Sequence, residues 1–262
     1  MKLRIYQVDA FTDTVFSGNP AAVCPLDSWP ADNLLQKIAM ENNLSETAFY
    51  VKHNDAYPIR WFTPTVEVDL CGHATLAAAF VLFNYENHRS ENIHFCSSRS
   101  GKLTVRKSDN LLLMNFPADV IESVPVTDQM HCCFNISPKE VVKGLSDYLF
   151  VYDDEESIRR LVPDFGNIMK LNCRGVIVSA KGYETDFVSR FFAPRVGVPE
   201  DPVTGSAHTT LIPYWASKLS KDRLTALQLS QRSGQLYCRH LGNRVEIGGA
   251  ARLYLKGEIY TE

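Results

Sequence analysis

The segment that most restricts the fold is 74–83, inside the run GHATLAAAFVLFN that begins at Gly72. Only Thr75 is polar in it, so a helix over this segment has no face for water and must be enclosed. About three turns of helix wrapped by strands meets that demand.

A second run has the same plan. RWFTPTVEVDLCGHAT at 60–75 and RFFAPRVGVPEDPVTGSAH at 190–208 share Arg-aromatic-Phe-x-Pro-x-Val-x-Val at an offset of 130 residues (190 − 60). After a three-residue insertion, Gly-[His/Ser]-Ala recurs at an offset of 133 (205 − 72). That spacing is half of a 262-residue chain and reads as duplication, two copies being too few for a solenoid. Each copy runs strand, Pro-marked turn, acidic residues, then a Gly that opens an apolar helix. The first N–H groups of a helix are unpaired and carry partial positive charge, which suits a carboxylate or an oxyanion. Two such termini facing each other across a cleft would clamp a small anionic substrate.

Composition narrows the function. The net charge is −3 and the pI near 6.2, with no Lys/Arg run, which excludes a general nucleic-acid or anionic-membrane binder. No apolar run approaches a membrane span, and the first residues lack the apolar core of a signal peptide, so a cytoplasmic protein is expected. Seven scattered cysteines without Cys-x-x-Cys read as free thiols.

Along the chain, strands are expected at 3–8, 21–24, 48–51, 59–62, 93–95, 103–105 and 111–116. Leu34, Leu35, Ile38 and Ala39 share one helical face. The Pro-bearing stretch 117–125 reads as a linker between halves 1–118 and 119–262. In the second half, SPKE at 137–140 has the spacing of a capping box and predicts a helix start. Strands are expected at 148–152, 176–180, 187–192, 227–230, 236–238, 245–247 and 253–255, with a short helix at 157–161. The helix after Gly205 contains Pro213, which removes one helical hydrogen bond. Gly248, Gly249 and Gly257 read as turns.

Several catalytic patterns are absent. Ser206 lacks a Gly-x-Ser-x-Gly elbow, and there is no P-loop or Gly-x-Gly-x-x-Gly. His131, Cys132 and Cys133 lack the spacing of a zinc site, so no metal site is expected. Taken singly, Glu46 reads as an acid at a strand mouth, His73 and Ser206 as helix-start residues, and Glu200 and Asp201 as turn acids.

Together the motifs say more. DAFT at 9–12, GNPAAV at 18–23, LSETAF at 44–49, DLCGHAT at 69–75 and EDPVTGSAH at 200–208 resemble the phenazine-biosynthesis PhzF family over nearly the whole chain. The resemblance implies the α+β diaminopimelate-epimerase-like fold: two pseudo-symmetric halves, each a β-barrel-like sheet around a central apolar helix, with the site between them. It also implies an isomerase that moves a proton without a cofactor, as in isomerisation of trans-2,3-dihydro-3-hydroxyanthranilate, and a homodimer. Carried over by residue, the catalytic group is Glu46, His73 and Asp201, and substrate binding falls to Ser45, Gly72, Gly205 and Ser206.

Two other readings use the same fold. A cofactor-independent racemase needs a thiol on each half, but the position matching Cys71 is Thr204, whose hydroxyl is far too weak an acid. A non-catalytic binding or interaction protein would have no need of Glu46, His73 and Asp201 together.

Overall fold

In a computed structural model describing residues 1–261, the chain divides into two units, Met1–Asn115 with Gly248–Glu262, and Phe116–Ile247. Alternating and β-branched residues give the first unit β1 (Lys2–Ala10), β2 (Asn19–Leu26), β3 (Glu46–Val51), β4 (Tyr57–Phe62) and the two-residue β5 (Glu67–Val68). It continues through β6 (Asn92–Ser97), β7 (Gly101–Ser108) and β8 (Leu111–Pro117). Helix α1 (Asp32–Asn42) crosses from β2 to β3, and α2 (Gly72–Tyr85) from β5 to β6. The helix expected from its lack of a polar face is buried from His73 to Leu82 apart from half-buried Phe80, and it packs on β1, β2 and β3. On α1, Leu35, Ile38 and Ala39 join Ala22, Cys24, Phe49 and Phe62 in a second core. Alternate residues Ala21, Val23 and Ala48 are equally buried, so the central strands are apolar on both faces.

The second unit contains β9 (Glu122–Val124), β10 (Glu140–Lys143), β11 (Asp147–Val151), β12 (Gly175–Lys181), β13 (Phe187–Phe192), β14 (Arg223–Gln228) and β15 (Gly234–His240). Its helices are α3 (Asp128–His131), α4 (Glu155–Arg160), α5 (Phe165–Lys170) and α6 (His208–Leu219). From β1 to β2, β3, β4, β6 and β7 the pairings run antiparallel, parallel, antiparallel, parallel, antiparallel. From β10 to β15 the same succession recurs. The arginines of the two sequence copies do the same local work. Arg60 grips Glu67 with two bonds of 2.7 and 2.8 Å and lies 5.1 Å from the Phe62 ring centre. Arg190 grips Glu200 at 2.8 and 3.0 Å and lies 4.9 Å from Phe192. Each clamp fixes a strand to the segment that follows it, β5 in the first case and a bend in the second.

Strands β16 (Arg244–Gly249) and β17 (Ala251–Tyr260) close the chain. Strand β17 pairs antiparallel with β1 from Lys2↔Tyr260 to Ala10↔Ala251. That ladder carries Gly248–Glu262 into the first unit, whereas division of the sequence at 118/119 leaves it in the second half. The stretch expected as a linker holds β9, paired with β10, and the Ala118 N–H donates to the Asn243 carbonyl.

Other local expectations also change. Residues 137–140 start no helix. Val141 and Val142 extend into β10, and Lys139 donates to the Val151 carbonyl, so the sheet overrides the capping pattern. The strand expected at 227–230 lies earlier, at Arg223–Gln228. Gly248 and Gly249 lie in β16 and Gly257 in β17. At Gly249 a Cβ would lie 2.4 Å from the Phe11 ring, so this glycine marks a close approach and not a turn. The carbonyl that Pro213 leaves without a helical partner, that of Thr209, accepts from the Asp119 N–H at 3.1 Å. Among the described residues no helix is long and apolar enough to cross a membrane. All seven cysteines are free thiols.

Candidate active site

In the first unit, two distant stretches of sequence converge. Helix α1 ends at Asn43, a left-handed C-cap at φ 48° whose N–H donates to Ala39. Ser45 lies in the turn that follows, and Glu46 begins β3 opposite Ala21 of β2. Helix α2 begins with Gly72, and its N-cap Cys71 offers no side-chain cap, so the first amides have no partner within the helix. The Cys71 carbonyl is held instead by the Thr75 hydroxyl at 2.6 Å and N–H at 3.1 Å. His73, second in the helix, brings Nε2 to 3.1 Å from Glu46 Oε2. The distance is that of an ion pair, while Oε2, itself buried, lies off the direction of a formed hydrogen bond. Both side chains are enclosed, at 7% and 17% exposure.

Cys71, which the sequence does not tie to this pair, is its third member. Its Sγ lies 3.5 Å from His73 Nδ1 and 3.9 Å from Nε2. Spacing of two across a helix start gives no hint of that, because the N-cap backbone is extended, at φ −140° and ψ 109°. Burial pushes the Cys71 thiol up to about 11, and the Glu46 charge adds to the rise. Burial works against charge on the His73 ring, but Cys71 and Glu46 outweigh it and hold the imidazole well above its usual value.

The second unit gathers Asp201, Gly205 and Ser206 on one loop. Asp201 donates its N–H to the Phe191 carbonyl, and its carboxylate accepts from the Thr204 hydroxyl at 2.5 Å. Buried Gln228 accepts from the Thr204 N–H at 2.9 Å and donates to the Asp201 carbonyl at 2.8 Å. His208 Nδ1–H donates to the Thr204 carbonyl at 2.8 Å; burial pushes this ring down to about 4, so it is neutral. Gly205 does not open α6 as Gly72 opens α2. Residues 205–207 form a turn, with i→i+3 bonds from His208 to Gly205 and from Thr209 to Ser206. Arg174, a residue that sequence reasoning passed over, donates from Nη1 to the Ser206 hydroxyl at 3.1 Å. Buried Asp147 holds it from the other side through Nε at 2.9 Å and through Nη2. The RG pair at 174–175, just ahead of an apolar strand, was the available signal.

Comparison with known proteins agrees with the motifs. Residues 8–257 match the family described as phenazine biosynthesis-like protein, PhzC-PhzF. A Pseudomonas aeruginosa protein named uncharacterized isomerase PA2770 is 54% identical, over 99% of this chain and 100% of its own. A PhzF-family crystal structure from Enterococcus faecalis superposes with TM-score 0.97 at 48% identity, covering all of both chains. A hydroxyproline epimerase from Agrobacterium vitis shares the fold alone, at TM-score 0.62 and 9% identity over 98% of this chain and 92% of its own. By its motifs, its fold and its match from end to end, the chain belongs to the phenazine biosynthesis-like PhzC-PhzF family.

Proposed function

We propose that the protein is a cofactor-independent isomerase that moves a proton on a small cyclic or unsaturated carboxylate, with Glu46 as the acid/base. The observation that carries the reading is the enclosed pair itself, Glu46 Oε2 at 3.1 Å from His73 Nε2. A carboxylate set against an imidazole in a poorly solvated site can take a proton from carbon and return it. The His73 ring, 3.1 Å away, compensates the charge of the carboxylate while Glu46 is ionised. The amides at the start of α2, which have no partner within the helix, suit the developing negative charge on substrate. Asp201, Ser45, Gly205 and Ser206 take the substrate-binding and orienting roles that the family resemblance assigns, and the Arg174 guanidinium polarises the Ser206 hydroxyl. The name isomerase borne by close relatives supports the same reaction class.

A two-thiol racemase finds no support in this chain. Cys71 is a thiol pushed up to about 11, and Thr204, at the matching place in the second copy, spends its hydroxyl on Asp201. Homodimerisation is part of the proposal; light scattering at micromolar concentration should give twice the 29.5 kDa chain mass, and a monomer mass refutes it.

A substrate panel makes the test possible. Small cyclic and unsaturated carboxylates are incubated with enzyme in D2O and followed by proton NMR. The wild type should exchange one carbon-bound proton of its substrate, at one face only, since one carboxylate serves both steps. Glu46→Gln should slow that exchange by roughly 10²–10⁴-fold. Substrate binding should be largely retained, so that kcat falls while KM holds. Exchange at the wild-type rate in the Gln variant removes Glu46 from the mechanism.

A further inference from the structure

Three different metal-binding side chains meet at the Glu46 site. Cys71 Sγ, a His73 ring nitrogen and a Glu46 carboxylate oxygen all lie within 4.8 Å of one another. We propose that this cluster is a site for one soft divalent cation, zinc above all, which occupies it as an inhibitor.

Geometry and ligand type both point there. Zinc binds sulfur at about 2.3 Å, imidazole nitrogen at about 2.0–2.1 Å and carboxylate oxygen at about 2.0–2.2 Å, in a tetrahedron. Those lengths place neighbouring ligand atoms roughly 3.3–3.6 Å apart. Here Nε2···Oε2 is 3.1 Å and Sγ···Nε2 is 3.9 Å, so the ligands need shift only by tenths of an ångström along those two edges. Oε2 is buried and makes no hydrogen bond, which leaves a lone pair for the cation. Cys71 Sγ, also enclosed, lies 3.5 Å from His73 Nδ1. Thiolate with imidazole selects zinc, cobalt or cadmium over magnesium or calcium, which prefer an all-oxygen shell. Three protein ligands leave the fourth position to water.

Binding displaces the thiol proton of Cys71 and the Nε2 proton of His73 into solvent, and no electron is transferred. A cation bound at Oε2 offsets the negative charge of Glu46 and so weakens it as the base that proton transfer requires. The inhibition therefore rests on the isomerase reading above, whereas the binding does not.

Cobalt(II) chloride, titrated into the purified full-length protein, is the probe. Thiolate ligation should give a sulfur-to-cobalt charge-transfer band in the near ultraviolet that saturates at one equivalent and disappears on adding zinc. Cys71→Ser should abolish the band, and Cys132→Ser, at the exposed cysteine, should keep it. Glu46→Gln should keep the band while weakening cobalt at least tenfold, since even an outer-shell partner is worth roughly 10–100-fold in affinity. Absence of the band, its survival in Cys71→Ser, or unchanged affinity in Glu46→Gln overturns the proposal. Because the spectrum requires no substrate, that failure leaves the proton-transfer reading standing. A band without inhibition of exchange would strike at the role of Glu46 instead.

Discussion

Replacing Glu46 with Gln should make the protein's stability depend on pH in a way that reports directly on His73. At 3.1 Å the attraction between a carboxylate and an imidazolium is about 5 kcal/mol with an effective dielectric constant near 20. Taking both groups out of water offsets much of that, and the ring can shed its proton when the carboxylate is gone. A net loss of roughly 1–3 kcal/mol is therefore expected where the ring would be charged, equal to ~2–6 °C in Tm for a chain of this size. The sign follows from linkage. The His73 pKa is raised in the folded state, so the pair's contribution is complete below the unfolded value of about 6.5 and fades as pH rises through the folded value. His208 shows what the ring does without a carboxylate: fully buried, it is pushed down to about 4. In Glu46→Gln, His73 should behave likewise, so lowering the pH below about 6.5 costs the variant stability. The assay is thermal unfolding of both proteins at about pH 6 and about pH 9. The gap in Tm should be widest at the lower pH and shrink at the higher one. An equal gap at both would mean that Glu46 and His73 are not a charged pair, whatever their separation.

Three further outcomes are expected. Cys71→Ser should lower turnover less than tenfold, because a thiol pushed up to about 11 is no base near neutral pH, and stopped-flow exchange rates that fall a thousandfold would say otherwise. Arg174→Lys, which gives up the two-pronged hold on Asp147, should raise KM for an anionic substrate about tenfold while kcat stays within about threefold; unchanged KM refutes its part in placing Ser206. Gly249→Ala forces a methyl to 2.4 Å from buried Phe11 and should cost about 1–3 kcal/mol in urea unfolding, with an unchanged midpoint counting against that close approach.

What the sequence reveals is what local chemistry decides. The enclosure of α2 is legible because a helix with a single polar residue between 74 and 83 has no soluble alternative. The repeated motif is legible because each occurrence keeps an arginine two residues before a phenylalanine, and the structure gives that pair a shared use. Arg60 and Arg190 lie against Phe62 and Phe192 while gripping Glu67 and Glu200, so the arginine and the phenylalanine of each copy belong to one clamp, whereas the acids fall at unmatched positions. The same fact settles how Glu200 and Asp201 differ, though they are neighbours in one turn. Glu200 is spent on Arg190, whereas the Asp201 carboxylate takes the Thr204 hydroxyl of its own loop. Choices between competing partners are not legible. The capping pattern at 137–140 loses because Val141 and Val142 find β11, and β17 joins the first unit because its ladder partner β1 lies at the other end of the chain. The candidate site is of this second kind. Glu46 and His73 are 27 residues apart, and neither is unusual where it stands (73 − 46). They become a pair only because β3 runs parallel to β2 in a register that sets Glu46 opposite Ala21, and α2, packed across β1, β2 and β3, delivers His73 to that strand end. Register and crossover are properties of the whole sheet. A short polar motif can mark such a site by resemblance, but its chemistry is created by the sheet that brings the motifs together.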